Sequence, residues 1–169
     1  MEENHTLPLL QRQYAMARYL LLATVIATVV NMFLGLAMRE EYIPYCAVLP
    51  YYLTLIGFYF DGLRLDTYTV TGMVMTFLLL SVWLLAWFKS KEKSGWLKVG
   101  FGLALADGVI LLLYALLFSA SLMDHLVEIV LHIAIIYEIH VGIRADKQLR
   151  QILSGGFTPA QTEYRDGFQ

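Results

Sequence analysis

Five stretches of predominantly apolar residues, each followed by charge, a turn or a polar extension, leave this chain few ways to fold. Crossing a hydrocarbon core of ~30 Å takes about 20 apolar residues of helix, and runs of that length read as membrane spans. The first covers residues 14–38 and ends at Arg39-Glu40-Glu41. The second, 43–60, contains Pro44 and Pro50 and closes at Asp61-Gly62-Leu63-Arg64. The third, 68–88, stops at Lys89-Ser90-Lys91-Glu92-Lys93. A fourth, 97–118, turns through Ser119-Ala120-Ser121 into the fifth, 122–142. Residues 143–154 read as a cytosolic helical continuation that Gly155-Gly156 stop, and 155–169 as a flexible cytosolic tail. The expected fold is an all-α polytopic membrane bundle, one transmembrane domain over residues 1–154.

A charged fraction of 15% against 59% hydrophobic residues excludes an ordinary soluble domain, where about a quarter of residues are charged. A net charge of -2 with no basic, aromatic-interleaved stripe excludes nucleic acid as a partner. The single cysteine, Cys46, rules out an intrachain disulfide, a Cys-x-x-Cys redox pair and a thiolate cluster within one chain. Met1-Glu2-Glu3-Asn4-His5 lacks the basic region of a secretory signal, and Glu2 stands where myristoylation needs glycine, so insertion is expected to rest on the helices.

The second stretch admits two arrangements. As a full span it gives five crossings. As a re-entrant segment it gives four, and Pro50 then lacks its backbone donor where a neighbouring helix or cavity compensates. Lysine and arginine are retained on the cytoplasmic side. With the loop between the third and fourth stretches inside, five spans place nine basic residues in and Arg12, Arg18 and Arg64 out, whereas four spans place ten in and Arg39 and Arg64 out. Both put the C-terminus in the cytoplasm, with the protein in the cytoplasmic membrane; the length of residues 43–60 favours five. Trp83, Trp87 and Trp96 flank the lysine loop as an interfacial belt does. No internal repeat suggests an inverted-repeat transporter, unless a dimer supplies the second half.

Small and polar residues recur at helical spacing along each stretch: Thr24, Thr28, Asn31 and Gly35; Pro50, Thr54, Gly57 and Asp61; Thr69, Gly72 and Thr76; Gly100, Ala104 and Gly108; Ser121, His125, Glu128 and His132. Such stripes serve helix packing. Acids and histidines are not needed for that, and an ionisable group in hydrocarbon costs at least ~2.5 kcal/mol on insertion scales.

The fifth stretch carries Asp124, His125, Glu128, His132, Glu138 and His140. His125, Glu128 and His132 share a face, and Asp124 is one turn from Glu128. Glu128, His132 and His125 are candidate ligands for a divalent metal. Asp107 lies ten residues into the fourth stretch and His132 ten into the antiparallel fifth. A rise of ~1.5 Å per residue puts both ~15 Å deep, where they are expected to meet. Glu138 and His140 lie on other faces near the interface. Tyr42, Tyr45, Tyr51, Tyr52 and Tyr59 suit an aromatic cavity or an interface belt. No nucleophile elbow, phosphate loop or His-Glu-x-x-His motif is present, and every intramembrane histidine is on one helix, which disfavours a haem held within one chain.

These residues point to a small transporter, channel or transporter subunit that handles a proton, a metal ion or a small cationic molecule at Asp107, Glu128 and His132, with His125 and Asp124 as the outer approach. An accessory or sensory subunit with structural polar pairs, or an intramembrane metalloenzyme, are the alternatives. Five spans are few for a complete pathway, so a homo-oligomer or a partner membrane subunit is expected within the lipid bilayer.

Overall fold

A computed structural model describes residues 3–37, 43–118 and 122–154. It contains α1 (Glu3–Leu36), α2 (Val48–Phe60), α3 (Thr67–Ser90), α4 (Gly95–Phe118), a short 3-10 turn (Leu122–His125) and α5 (Leu126–Leu153). No strand occurs among the described residues. Four helices, α1, α3, α4 and α5, are long and apolar enough to cross a membrane. Their outer surfaces expose large apolar side chains such as Leu78, Leu113 and Ile133, which water would not tolerate and lipid covers. The chain is an all-α, multi-pass membrane bundle, as its apolar runs predict.

α2 differs. Its 13 residues extend ~20 Å at 1.5 Å per residue, short of a bilayer core. Its first turn is hydrogen-bonded at the level of Asp107, about halfway along α4, and its N-cap Ala47 at Thr28, about three quarters of the way along α1. Its last turns lie beside the C-terminal turns of α1, where Gly35 faces Leu55 and Tyr51, and beside the start of α3, where Gly57 abuts the Tyr68 carbonyl. Residues 43–47 have no regular structure and bond to the C-terminal third of α1. The segment 43–60 fits the re-entrant alternative: its length is divided between an irregular arm and a short helix that starts level with Asp107, midway along α4, and runs back to the end where α1 stops.

Four crossings put both ends of the bundle's chain on one side. The Tyr14 hydroxyl donates to the Ser90 carbonyl and Arg18 Nε donates to Ser90 Oγ at 3.0 Å, tying the start of α1 to the end of α3. Gly142 of α5 packs against Ala17 in the same layer. That half of the bundle is dry and close-packed, filled by Leu21, Leu80, Trp83, Leu97 and Ile139. Trp83 is 4% exposed and belongs to this core, not to an interfacial belt.

Pro50 falls in the first turn of α2, where a backbone N–H has no intrahelical acceptor, so its missing donor costs little. The Thr76 hydroxyl meets the Pro50 carbonyl and Thr54 Oγ1 at 2.9 Å, locking α2 to α3. Asp66 accepts from Thr67 N at 2.8 Å and Asp61 from Thr69 N at 2.6 Å, capping α3. Desolvation opposes ionisation of Asp61, but the hydrogen bonds from Thr69 and Tyr68 together outweigh it and hold its carboxyl below the usual range. Its contribution to stability is thus present above the ordinary carboxylate pKa and fades as pH falls through the lowered folded value.

A Cβ at Gly72 would meet the Leu53 carbonyl, which is backbone and cannot swing aside, whereas one at Gly102 meets nothing. Gly72→Ala is expected to destabilise by about 1–3 kcal/mol, as overpacking does, and Gly102→Ala to leave thermal unfolding in detergent unchanged or slightly raised. In a Cys46→Ser background, cysteines at Ala37 and Asp66 should react with an impermeant maleimide from one side of the membrane and those at Lys91 and Ser154 from the other. Opposite labelling of positions 37 and 66 would contradict the re-entrant segment.

Candidate functional site

The site is built where the re-entrant arm meets three helices. The irregular arm at membrane depth makes one backbone bond of its own, Tyr45 N–H to the Ile43 carbonyl at 2.7 Å, so its other N–H groups need acceptors elsewhere. Asn31 of α1 clamps Ile43, accepting from its N–H at 2.8 Å and donating to its carbonyl at 2.8 Å. Thr28 Oγ1 accepts from Ala47 N at 2.7 Å while donating to the Thr24 carbonyl at 2.6 Å. Thr24 Oγ1, which donates to the Leu20 carbonyl at 2.9 Å, accepts from the Tyr45 hydroxyl at 2.8 Å. The polar stripe of α1 thus holds the arm as well as packing the helix.

Asp107 completes the series from α4. Its Oδ2 accepts from Val48 N at 2.8 Å and its Oδ1 from Leu49 N at 3.1 Å, so the side chain caps α2 from another helix. A carboxylate there also meets the positive end of the α2 dipole. His132 Nε2 lies 3.3 Å from Asp107 Oδ2, the contact that equal depth in neighbouring helices predicts. His132 Nδ1 donates to the Glu128 carbonyl at 2.9 Å, since that oxygen can only accept. Both ring nitrogens are engaged. Asp107 and His132 are each 5% exposed, and the Tyr45 ring packs on His132 at 5.0 Å between centroids.

One turn toward the α5 N-terminus, the chemistry changes. His125 Nδ1 and Glu128 Oε2 are 3.2 Å apart, with side chains 18% and 17% exposed. They face a cavity of about 300 Å³ between α2 and α5, bounded by Cys46 and Val48 at the tip of the re-entrant segment, by Tyr51, Tyr52 and Leu55 along α2, and by His125, Glu128 and His132 on α5. Aromatic rings continue its wall: Tyr52 lies 4.6 Å from Tyr114, and Tyr114 meets His125 edge-on at 5.6 Å. Tyr51 and Tyr52 are 5.5 Å apart.

The structure therefore joins Asp107 to His132 and His125 to Glu128, as two pairs on successive turns. The metal-ligand set Glu128, His132 and His125 is not assembled: no group of three His, Cys, Asp or Glu side chains among the described residues is placed to hold a metal ion. Rotation of His132 toward Asp107 and the Glu128 carbonyl is the reason. Asp124 falls in the 3-10 turn, and its side chain lies outside the described residues, as do Tyr42 and Ser121. Glu138 is exposed, and the His140 ring stacks near Phe101 at 5.9 Å, away from the cavity. Sequence reasoning missed Asn31 and Thr28 as binders of the broken chain, and Tyr114 altogether. Tyr114 stands seven residues after Asp107, on the same face of α4, which is the signal available for it.

Asp107→Ala strips two backbone donors and a histidine of their acceptor in a buried place. A loss of about 3–5 kcal/mol is expected, with about 1–3 kcal/mol for Asp107→Asn, read from unfolding in detergent. Wild-type stability of Asp107→Ala would show that the cap carries nothing.

Comparison with protein-family profiles, with curated proteins and with solved structures returns no match.

Proposed function

We propose that this protein is a small transporter, channel or transporter subunit that takes a proton or a small cationic molecule at the Glu128–His125 pair. One observation carries the reading: a carboxylate on an apolar helix borders a cavity of about 300 Å³ at the lower end of the range of small-molecule sites, ~300–1,000 Å³. His132 lines one end of it, and Asp107 behind His132 holds the re-entrant segment. Glu128 bears the chemistry: in a low-dielectric wall its charge attracts a cation or takes a proton, and His125 at 3.2 Å can exchange a proton with it.

Basic residues support an orientation for this protein in the cytoplasmic membrane. The end that holds both helix termini and the loop after α3 carries Arg12, Arg18, Lys89, Lys91, Lys93, Lys98, Arg144, Lys147 and Arg150, against Arg64 at the other end; Arg39 and Arg165 lie outside the described residues. The termini are then cytoplasmic and the cavity lies in the outer half. Four crossings make a complete pathway within one chain difficult, so a second copy or a partner membrane subunit belongs to this reading.

The second reading is an accessory subunit whose polar groups fix its own fold. The bonds of Asp107 and His132, all made to the protein itself, favour it.

In vesicles loaded with a pH dye and given a gradient of protons, sodium or tetramethylammonium, wild-type protein should move at least one of these about tenfold faster than Glu128→Gln. Equal rates, with the variant folded and assembled as wild type, would favour the accessory reading.

A further inference from the structure

The cavity beside Glu128 has a neighbour along α2. A second groove of about 360 Å³ runs along α2, lined by Tyr52, Leu55, Ile56, Tyr59 and Phe60, and it shares Tyr52 and Leu55 with the first. The two differ in chemistry. The first holds a carboxylate, two imidazoles and tyrosine rings, while the groove has almost no polar surface. Ile56, Tyr59 and Phe60 are 50%, 78% and 72% exposed, on a part of α2 that faces the apolar surroundings of the bundle.

Two adjoining spaces that share Tyr52 and Leu55 as walls, one with a carboxylate and aromatic rings and the other an apolar groove, match an amphiphile. Its sign follows from the carboxylate, and its head type from the rings: Tyr51 and Tyr52 offer π-faces near Glu128, the surroundings that hold ammonium groups by cation–π attraction. Resting on the cation-handling reading above, we propose that the ligand is a cationic amphiphile, an alkyl ammonium whose head sits between Glu128 and Tyr51 and Tyr52 and whose chain lies along Ile56 and Phe60. Such a molecule partitions into the bilayer first, so the groove is its way in from the side, and Tyr52 stands at the junction of head and chain.

The test uses the full chain in lipid nanodiscs, with empty discs subtracted and two radiolabelled probes, tetramethylammonium and dodecyltrimethylammonium. Both should bind saturably, the long-chain probe at least about tenfold more tightly, and Glu128→Gln should weaken each about tenfold or more. Ile56→Trp, at a half-exposed position that tolerates bulk, should weaken only the long-chain probe. Should Ile56→Trp leave dodecyltrimethylammonium unaffected while Glu128→Gln weakens both probes, the groove is not used: this proposal falls and the cation reading stands. Competition by dodecanol as strong as by the ammonium would make the groove an acyl-chain contact and also overturn it. No saturable binding of either probe to the wild type, which needs no variant to fold, removes ammonium recognition altogether. That outcome overturns the proposal and leaves the vesicle experiment to decide whether protons or sodium are handled.

Discussion

Everything else in this bundle depends on supplying acceptors to a stretch of backbone that is not helical at membrane depth. In hydrocarbon an unpaired N–H costs several kcal/mol, so a chain that breaks its helix between Ile43 and Leu49 must find substitutes for the bonds it forgoes. Asn31, Thr28 and Asp107 provide them to Ile43, Ala47, Val48 and Leu49. These acceptors come from α1 on one side and α4 on the other, so the arm can be satisfied only when both helices are in place. The polar residues of the first and fourth apolar runs are thus the condition for the irregular segment between them.

The same need divides labour along α5. His132 faces Asp107 and is committed to the protein's own structure; Glu128, one turn away, has its side chain on the cavity. One acid and two histidines that the helical repeat aligns on one stripe therefore do different things, because what lies opposite them differs: a helix start and a capping carboxylate in one case, an open space in the other. The shortness of α2 and the gap it leaves against α5 make that difference.

The sequence discloses much of this, unevenly. Apolar runs bounded by charge identify the four crossing helices, because hydropathy and length are what a bilayer selects. The meeting of Asp107 and His132 follows from equal depth in helices joined by a short turn. The status of residues 43–60 does not follow from hydropathy. Eighteen apolar residues are enough for a span or for an extended arm plus a 13-residue helix, and hydropathy counts residues without recording depth. The α1 stripe carries a similar ambiguity, since Thr24, Thr28 and Asn31 would look the same whether they packed a helix or bonded a loop. The cavity is not legible at all, being the space between side chains on α2 and α5 that lie some seventy to eighty residues apart.

Away from the tip of the re-entrant segment, toward the end of the bundle where α1 begins, the described side chains pack closely. Ala17, Leu21, Leu80, Trp83, Ala86, Leu97 and Ile139 close on one another there, with Arg18 and Tyr14 fastening the far end to Ser90. Among the described residues the cavity beside Glu128 thus ends at Val48 and His132. Beyond them lies a close-packed layer in which α1 and α5 meet through Gly142 and Ala17, so that any continuous path across the bundle would need those helices to part.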